Sequence, residues 1–292
     1  MMAQKQMLLK TLSAYLDGAV FADRTHLRLA PDLRVTYNGV VGALGANEIW
    51  EEVLRFPSRQ TFADPVTGNV VFFGTATNEA LLNDSTYPYP KPPQMRKAAD
   101  AKGHNLSSTK WWYYLLRLKC SDSGLIEEVE ELTIPNHLIN FDVHPRDYPM
   151  KDLRFDIPAA PTDHLPRTEL IGIADTYFDG IAKLIEREEV LAHPDAQRIE
   201  FGVQRTNSKR DYHSIPASFQ NPKFYWRVKN RRYPVVDPAM GIAIGFAEFV
   251  QGAEDTSPGF LAVEAFKVVD GLFRDILVYF FPGCTNGGWQ GS

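Results

Sequence analysis

Ala14-Tyr15-Leu16-Asp17-Gly18, near the start of the chain, returns as Thr176-Tyr177-Phe178-Asp179-Gly180 in its second half. Both stretches carry apolar residues at helical spacing. Three further pairs follow in the same order. Arg34-Val35-Thr36-Tyr37 matches Arg198-Ile199-Glu200-Phe201, each a short alternating strand after its helix. Asp64-Pro65-Val66-Thr67-Gly68 matches Asp237-Pro238-Ala239-Met240-Gly241, and each precedes a β-rich run, 69–77 and 242–250. Lys119 with Gly124-Leu125-Ile126 matches Lys267 with Gly271-Leu272-Phe273, each glycine joining two strand-like runs as a hairpin turn does. Ordered matches of this kind are the mark of an internal duplication. The Pro- and Asp-rich stretch 145–166 reads as the linker, which divides the chain into 1–148 and 149–292. Within each copy the order is helix, strand, connecting helix or loop, hairpin, hairpin. That order predicts an α+β fold in which a helix covers the concave face of a curved antiparallel sheet.

Composition narrows the function classes. The chain has 292 residues, is 44% hydrophobic and 23% charged, and carries a formal net charge of -5. That balance argues against a nucleic-acid partner, which selects a basic face. The densest basic run, Lys223 to Arg232, is interleaved with aromatics and reads as a strand. No run of about 18 apolar residues suggests a membrane span. The opening MMAQKQMLLK lacks the apolar core and cleavage site of a signal peptide, so a cytoplasmic location is expected. Cys120 and Cys284 are read as free thiols in that setting. Aromatic residues make up 12% of the chain, which suits a protein with apolar cavities to line.

The opening helix, the strand ending Thr36-Tyr37-Asn38-Gly39 and the long hairpin after each Asp-Pro-x-x-Gly resemble the nuclear transport factor 2-like superfamily, in particular its SnoaL-like branch. The resemblance runs over nearly the whole chain as a tandem pair. It implies two cone-shaped units, each a curved sheet wrapped on helices with an apolar pocket at its open end. It also implies one of the branch's activities, cyclisation, isomerisation or dehydration, or the release of formaldehyde from lignin-derived diaryl compounds that some superfamily members carry out. A fold of this kind does not by itself fix a function.

Candidate site residues come from where the copies differ. In 110–119 the alternation of a strand puts Trp111, Tyr113, Leu115 and Arg117 on one face and Trp112, Tyr114, Leu116 and Leu118 on the other. The matching run 260–268 has no Tyr, Trp or Arg, so the first copy is expected to hold the main pocket. Its lining is read as Trp111, Trp112, Trp50, Phe72 and Asn38, with Tyr37 and Tyr113 as hydrogen-bond partners and Arg117 or Arg59 holding an anion. An insertion over 84–108 reads as a lid. It carries His104, which with His137 is a candidate proton shuttle. The run Glu127-Glu128-Val129-Glu130-Glu131 reads as a solvated strand edge, with Glu130 or Glu131 as an alternative pocket acid. In the second copy Asp211-Tyr212-His213 and Arg231-Arg232-Tyr233 form a rival polar cluster.

Walker, dinucleotide, zincin and nucleophile-elbow motifs are all missing, and no cluster has metal-ligand spacing. The sequence therefore predicts a cofactor-independent lyase or isomerase that works by general acid/base catalysis on an aromatic small molecule. A non-catalytic binding or scaffold protein and a shape-based cyclase are the alternatives, and homo-oligomerisation is left open.

Overall fold

The computed structural model describes residues 2–79, 109–135, 144–148, 154–184, 186, 189–209, 213–219, 226–251, 259–286 and 288–289. They fall into two compact units, Met1–Tyr148 and Pro149–Ser292. Each unit is a six-stranded mixed sheet with few helices.

The first unit opens with α1 (Met2–Phe21), then β1 (Leu29–Tyr37), β2 (Val40–Val41), α2 (Glu48–Glu52), β3 (Arg59–Asp64), β4 (Asn69–Thr77), β5 (Trp111–Cys120) and β6 (Ile126–Pro135). Its strand order is β2-β1-β6-β5-β4-β3. The second unit repeats the plan. It has α3 (Arg167–Ile181), β7 (Ala192–Glu200), β8 (Val203–Gln204), α4 (Ile215–Ser218), β9 (Trp226–Asp237), β10 (Ile242–Gln251), β11 (Phe260–Val269) and β12 (Leu272–Pro282), ordered β8-β7-β12-β11-β10-β9.

Neither sheet is purely antiparallel, which corrects the reading from sequence. In each unit the first long strand pairs with the last one in parallel, β1 with β6 and β7 with β12. A first strand that leaves its helix cannot be joined to the last by a hairpin, so their relative direction is free of the turn constraint that makes the others antiparallel.

Periodicity explains the helices. Leu8, Leu12, Tyr15, Leu16 and Ala19 form one buried stripe on α1, packed against β4 and β5 residues that include Phe72, Trp112, Tyr114 and Leu116. On α3 the stripe is Leu170, Ile173, Ala174, Tyr177 and Phe178, packed on Ala243, Ala247, Ala262 and Phe266. Helix α2 starts at Asn47, whose side chain accepts from the backbone of Ile49 (3.1 Å) and Trp50 (3.3 Å). The Asp-Pro-x-x-Gly turns join β3 to β4 and β9 to β10. Gly68 and Gly241 sit at φ +72° and +60°, and an added Cβ would meet the carbonyl oxygens of Cys120 (2.3 Å) and Val268 (2.4 Å). Only glycine fits both demands.

The register of the two sheets differs by one residue from the sequence match. Tyr37 pairs with Val40, and Glu200 pairs with Val203. The turn residues that follow, Asn38-Gly39 and Phe201-Gly202, have φ of 50°, 79°, 47° and 81°. Tyr37 thus corresponds to Glu200, and Val35, not Arg34, corresponds to Arg198. A slip of one residue moves a side chain to the other face of a sheet. It places Arg198 on the helix-facing side, where Val35 packs in the first unit.

Candidate functional site

In the first unit the described residues of the helix-facing side pack aromatic side chains into the core. Tyr114, Phe72, Trp112 and Trp50 are all buried in its core. The Tyr114 ring lies 5.2 Å from Phe56 and 5.9 Å from Phe72. Its hydroxyl donates to Glu131 Oε1 at 2.7 Å, and Asn47 Nδ2 donates to Glu131 Oε2 at 2.5 Å. Burial raises the Glu131 pKa, against the pull of hydrogen bonds from Tyr114, Asn47, Tyr15 and Trp50. The glutamate run is therefore no solvated edge. Strand β6 lies between β1 and β5, and Glu130 and Glu131 are 1% and 0% exposed.

The candidates chosen from sequence are split between the two faces of this sheet. Trp112, Phe72 and Trp50 face α1. Trp111, Tyr113 and Arg117 are buried on the opposite face, where other side chains occupy them. Trp111 lies beneath the guanidinium groups of Arg55 (5.2 Å) and Arg146 (5.7 Å). Tyr113 meets Tyr148 at 5.8 Å, and burial raises its pKa. Arg117 pairs with Glu130 and Glu128, each at 2.8 Å, and donates to Asn69. Tyr37 and Asn38 close a network at the end of β1: the Tyr37 hydroxyl donates to Glu48 (2.8 Å), and Asn38 brackets Thr133. Arg59 is exposed on the outer strand β3 and bonds the Phe56 carbonyl. His104, His137 and the 84–108 insertion lie outside the described residues, as does Tyr212. Among the described residues the set is divided between the two faces of the sheet and the end of β1.

The second unit holds a cavity of about 410 Å³. That is within the ~300–1,000 Å³ range of small-molecule sites. The difference from the first unit is legible position by position. Leu116 pairs with Glu131 across β5 and β6, and Glu264 pairs with Val278 across β11 and β12. Tyr37 adjoins Glu131, as Glu200 adjoins Val278. Glu264 thus corresponds to Leu116, Val278 to Glu131, and Ala262 to Tyr114. The buried carboxylate has moved one strand sideways, and a methyl group stands where the first unit has a phenol ring. Near the same face Phe72 is replaced by Gly245, but Phe178 fills that gap: a Cβ on Gly245 would meet its ring at 3.0 Å. Ala262 itself lines the cavity.

One wall of the cavity is aromatic. Phe249 and Phe260 stack at 4.8 Å, with Trp226 (5.0 Å) and Phe280 (5.3 Å) against Phe260. The other wall is polar. Glu264 is 2% exposed, and its Oε2 has no hydrogen-bond partner. Burial pushes its carboxyl pKa up to about 8, although Arg198 and a hydrogen bond from Tyr177 oppose the change. Tyr177, the counterpart of Tyr15, comes from α3, and burial raises its own pKa. Arg198 Nε lies 3.0 Å from Glu200 Oε1, and its Nη1 donates to Ser218 at 3.1 Å. Burial opposes the charge on Arg198, but Tyr177, Glu200 and Glu264 outweigh it and keep the guanidinium charged. Arg205 holds the second oxygen of Glu200 at 3.3 Å.

Glu264, Tyr177 and Arg198 lie outside the residues that the sequence alone singles out for a site. The signal was present for the first: Glu264 is the lone acid at a helix-facing position of the apolar run 260–266. Arg198 was hidden by the one-residue slip. The rival cluster of the second copy is used structurally. Arg231 and Tyr233 bond Asp175 at 3.2 and 2.6 Å, and Arg232 lies over Phe246.

A family model described as a domain of unknown function (DUF8021) matches residues 163–280, a span that contains every described residue lining the cavity. No curated protein matches the chain. A solved structure, "putative ketosteroid isomerase from Kribbella flavida DSM 17836", is 19% identical, with a TM-score of 0.31, covering 39% of this chain and 78% of that one. A likeness of that degree is no argument for the chemistry. Among the described residues no group of His, Cys, Asp and Glu is placed to hold a metal ion, and no helix is long and apolar enough to cross a membrane.

Proposed function

We propose that the chain is a cofactor-independent lyase or isomerase of an aromatic small molecule and that its second unit carries the chemistry. The observation that supports this most is Glu264: a buried carboxylate with an open oxygen, facing an aromatic cavity, with a pKa of about 8. A base of that pKa is matched to proton transfer near neutral pH. Glu264 takes a proton from the substrate, the electron pair passes to a substrate oxygen, and the resulting anion is held by Arg198. Glu264 then returns the proton at another carbon, or the electron pair expels a leaving group. Tyr177 orients the carboxyl, and the aromatic wall keeps water out, which strengthens the charge interactions inside. The shared strand order supports reading the chain as a tandem pair of SnoaL-like domains, 1–148 and 149–292, of which the first has a filled pocket.

The test is deuterium incorporation into 2-tetralone, an aromatic ketone with acidic C–H bonds, followed by NMR in D₂O. The full chain is expected to accelerate exchange above buffer, and Glu264→Gln to lose about 10²–10⁴-fold of that acceleration. Exchange at the buffer rate, with the ketone bound, supports a binding protein instead.

A further inference from the structure

In the first unit a phenol side chain caps a buried glutamate, and the second unit has a buried glutamate with Ala262 at the strand position of that phenol. In both units a tyrosine of the opening helix adjoins a buried glutamate on the covered face of the sheet, Tyr15 with Glu131 and Tyr177 with Glu264. In the first unit the carboxylate is fully engaged, because the Tyr114 phenol and the Asn47 amide each take one of its oxygens. In the second unit the strand position of Tyr114 is held by Ala262. Ala262 lines the cavity, and Glu264, two residues along the same strand, has a carboxylate oxygen, Oε2, without a donor. A buried acceptor without a donor costs about as much as a lost hydrogen bond, so its ligand is one that supplies the donor.

We propose that the cavity of the second unit binds a phenol, an uncharged aromatic molecule that fills the space of the missing Tyr114 ring and donates its hydroxyl to Glu264 Oε2. The charges agree with a neutral ligand. Among the described residues the ionisable groups that face the cavity are Glu264, Arg198, Glu200 and Tyr177, and Arg198 is already paired with Glu200. An aromatic carboxylate would bring a second negative charge beside Glu264. The Phe249–Phe260 stack and Trp226 offer ring faces and edges to a flat guest. This inference identifies the substrate class of the site proposed above, and so rests on that reading of Glu264.

The probe is 4-methylphenol, the tyrosine side chain as a free molecule, compared with 4-methylanisole, which has the same ring and no donor. Binding to the full chain is measured by equilibrium dialysis at pH 9, where Glu264 is ionised and the phenol is neutral. The phenol is expected to bind about tenfold or more tightly than the ether, the difference made by one hydrogen bond to a charged acceptor. Glu264→Leu should abolish the preference. If that variant does not fold, the wild type at pH 5, with Glu264 protonated, should show the preference narrowed. Ala262→Tyr, which restores the ring, should block both ligands. Equal affinity for the two ligands, or a preference that survives Glu264→Leu and is unchanged at pH 5, overturns the proposal. Glu264→Gln separates it from the catalytic reading, because glutamine keeps an acceptor oxygen and cannot take a proton. A preference retained alongside undiminished exchange sinks catalysis and leaves the phenol site standing. Exchange that needs Glu264, with no preference for the phenol, does the reverse.

Discussion

Replacing Glu264 by Gln should make the protein more stable, and the gain should depend on pH. Folding raises the Glu264 pKa from an ordinary 4.5 to about 8, because burial disfavours the carboxylate. Between those values the folded state binds more protons than the unfolded state, so stability falls as pH rises through the window. The full difference corresponds to about 5 kcal/mol at 1.36 kcal/mol per pH unit. Gln is close to Glu in shape and has no charge to desolvate, so it escapes this loss. The variant should match the wild type to within about 1 kcal/mol at pH 5 and exceed it by about 4 kcal/mol at pH 9. Because both proteins share every other titrating group, the difference between them isolates this one. Urea unfolding at the two pH values measures it, with the transition of the second unit assigned by hydrogen exchange at β11 amides. A difference that stays constant from pH 5 to pH 9 would show that Glu264 titrates normally, and the argument from burial would be wrong.

Arg117→Ala removes one partner of a buried ion pair and should cost about 3–5 kcal/mol of stability in unfolding experiments, with 4-methylphenol affinity unchanged. A loss of affinity at unchanged stability would return Arg117 to the site. Tyr114→Phe removes the hydroxyl that donates to Glu131 and should cost about 1.5–3 kcal/mol by the same measurement, leaving 2-tetralone exchange unaltered. Slower exchange at unchanged stability would mean that the first unit takes part in the chemistry.

The helices and turns were legible because each rests on local chemistry. The 3.6-residue stripes on α1 and α3 and the Asp-Pro-x-x-Gly turns need only near neighbours to specify them. The parallel pairing of the first and last long strands of each sheet was not legible, since alternation says that a strand exists and nothing about its partner's direction. The glutamate run at 127–131 misled for the same reason. A charged strand reads as an edge until the sheet order shows β6 in the interior, with Arg117 and Tyr114 waiting for two of its acids. The cavity of the second unit is not legible in the sequence, because abundance of aromatic and polar side chains does not mark a pocket. In a small sheet-and-helix core such side chains fill space. Tyr114 is buried in the core of the first unit, and the small Ala262 stands at its strand position in the second, near the lone Glu264, on the wall of the cavity.

The pH dependence of enzyme-catalysed 2-tetralone exchange tests the central claim most directly, because it asks whether the buried acid of the second unit moves the proton. At low ketone concentration the rate reports the free protein. The rate should rise through a single ionisation near pH 8 in the wild type, with that limb absent in Glu264→Gln. A limb that is unchanged in Glu264→Gln contradicts the claim.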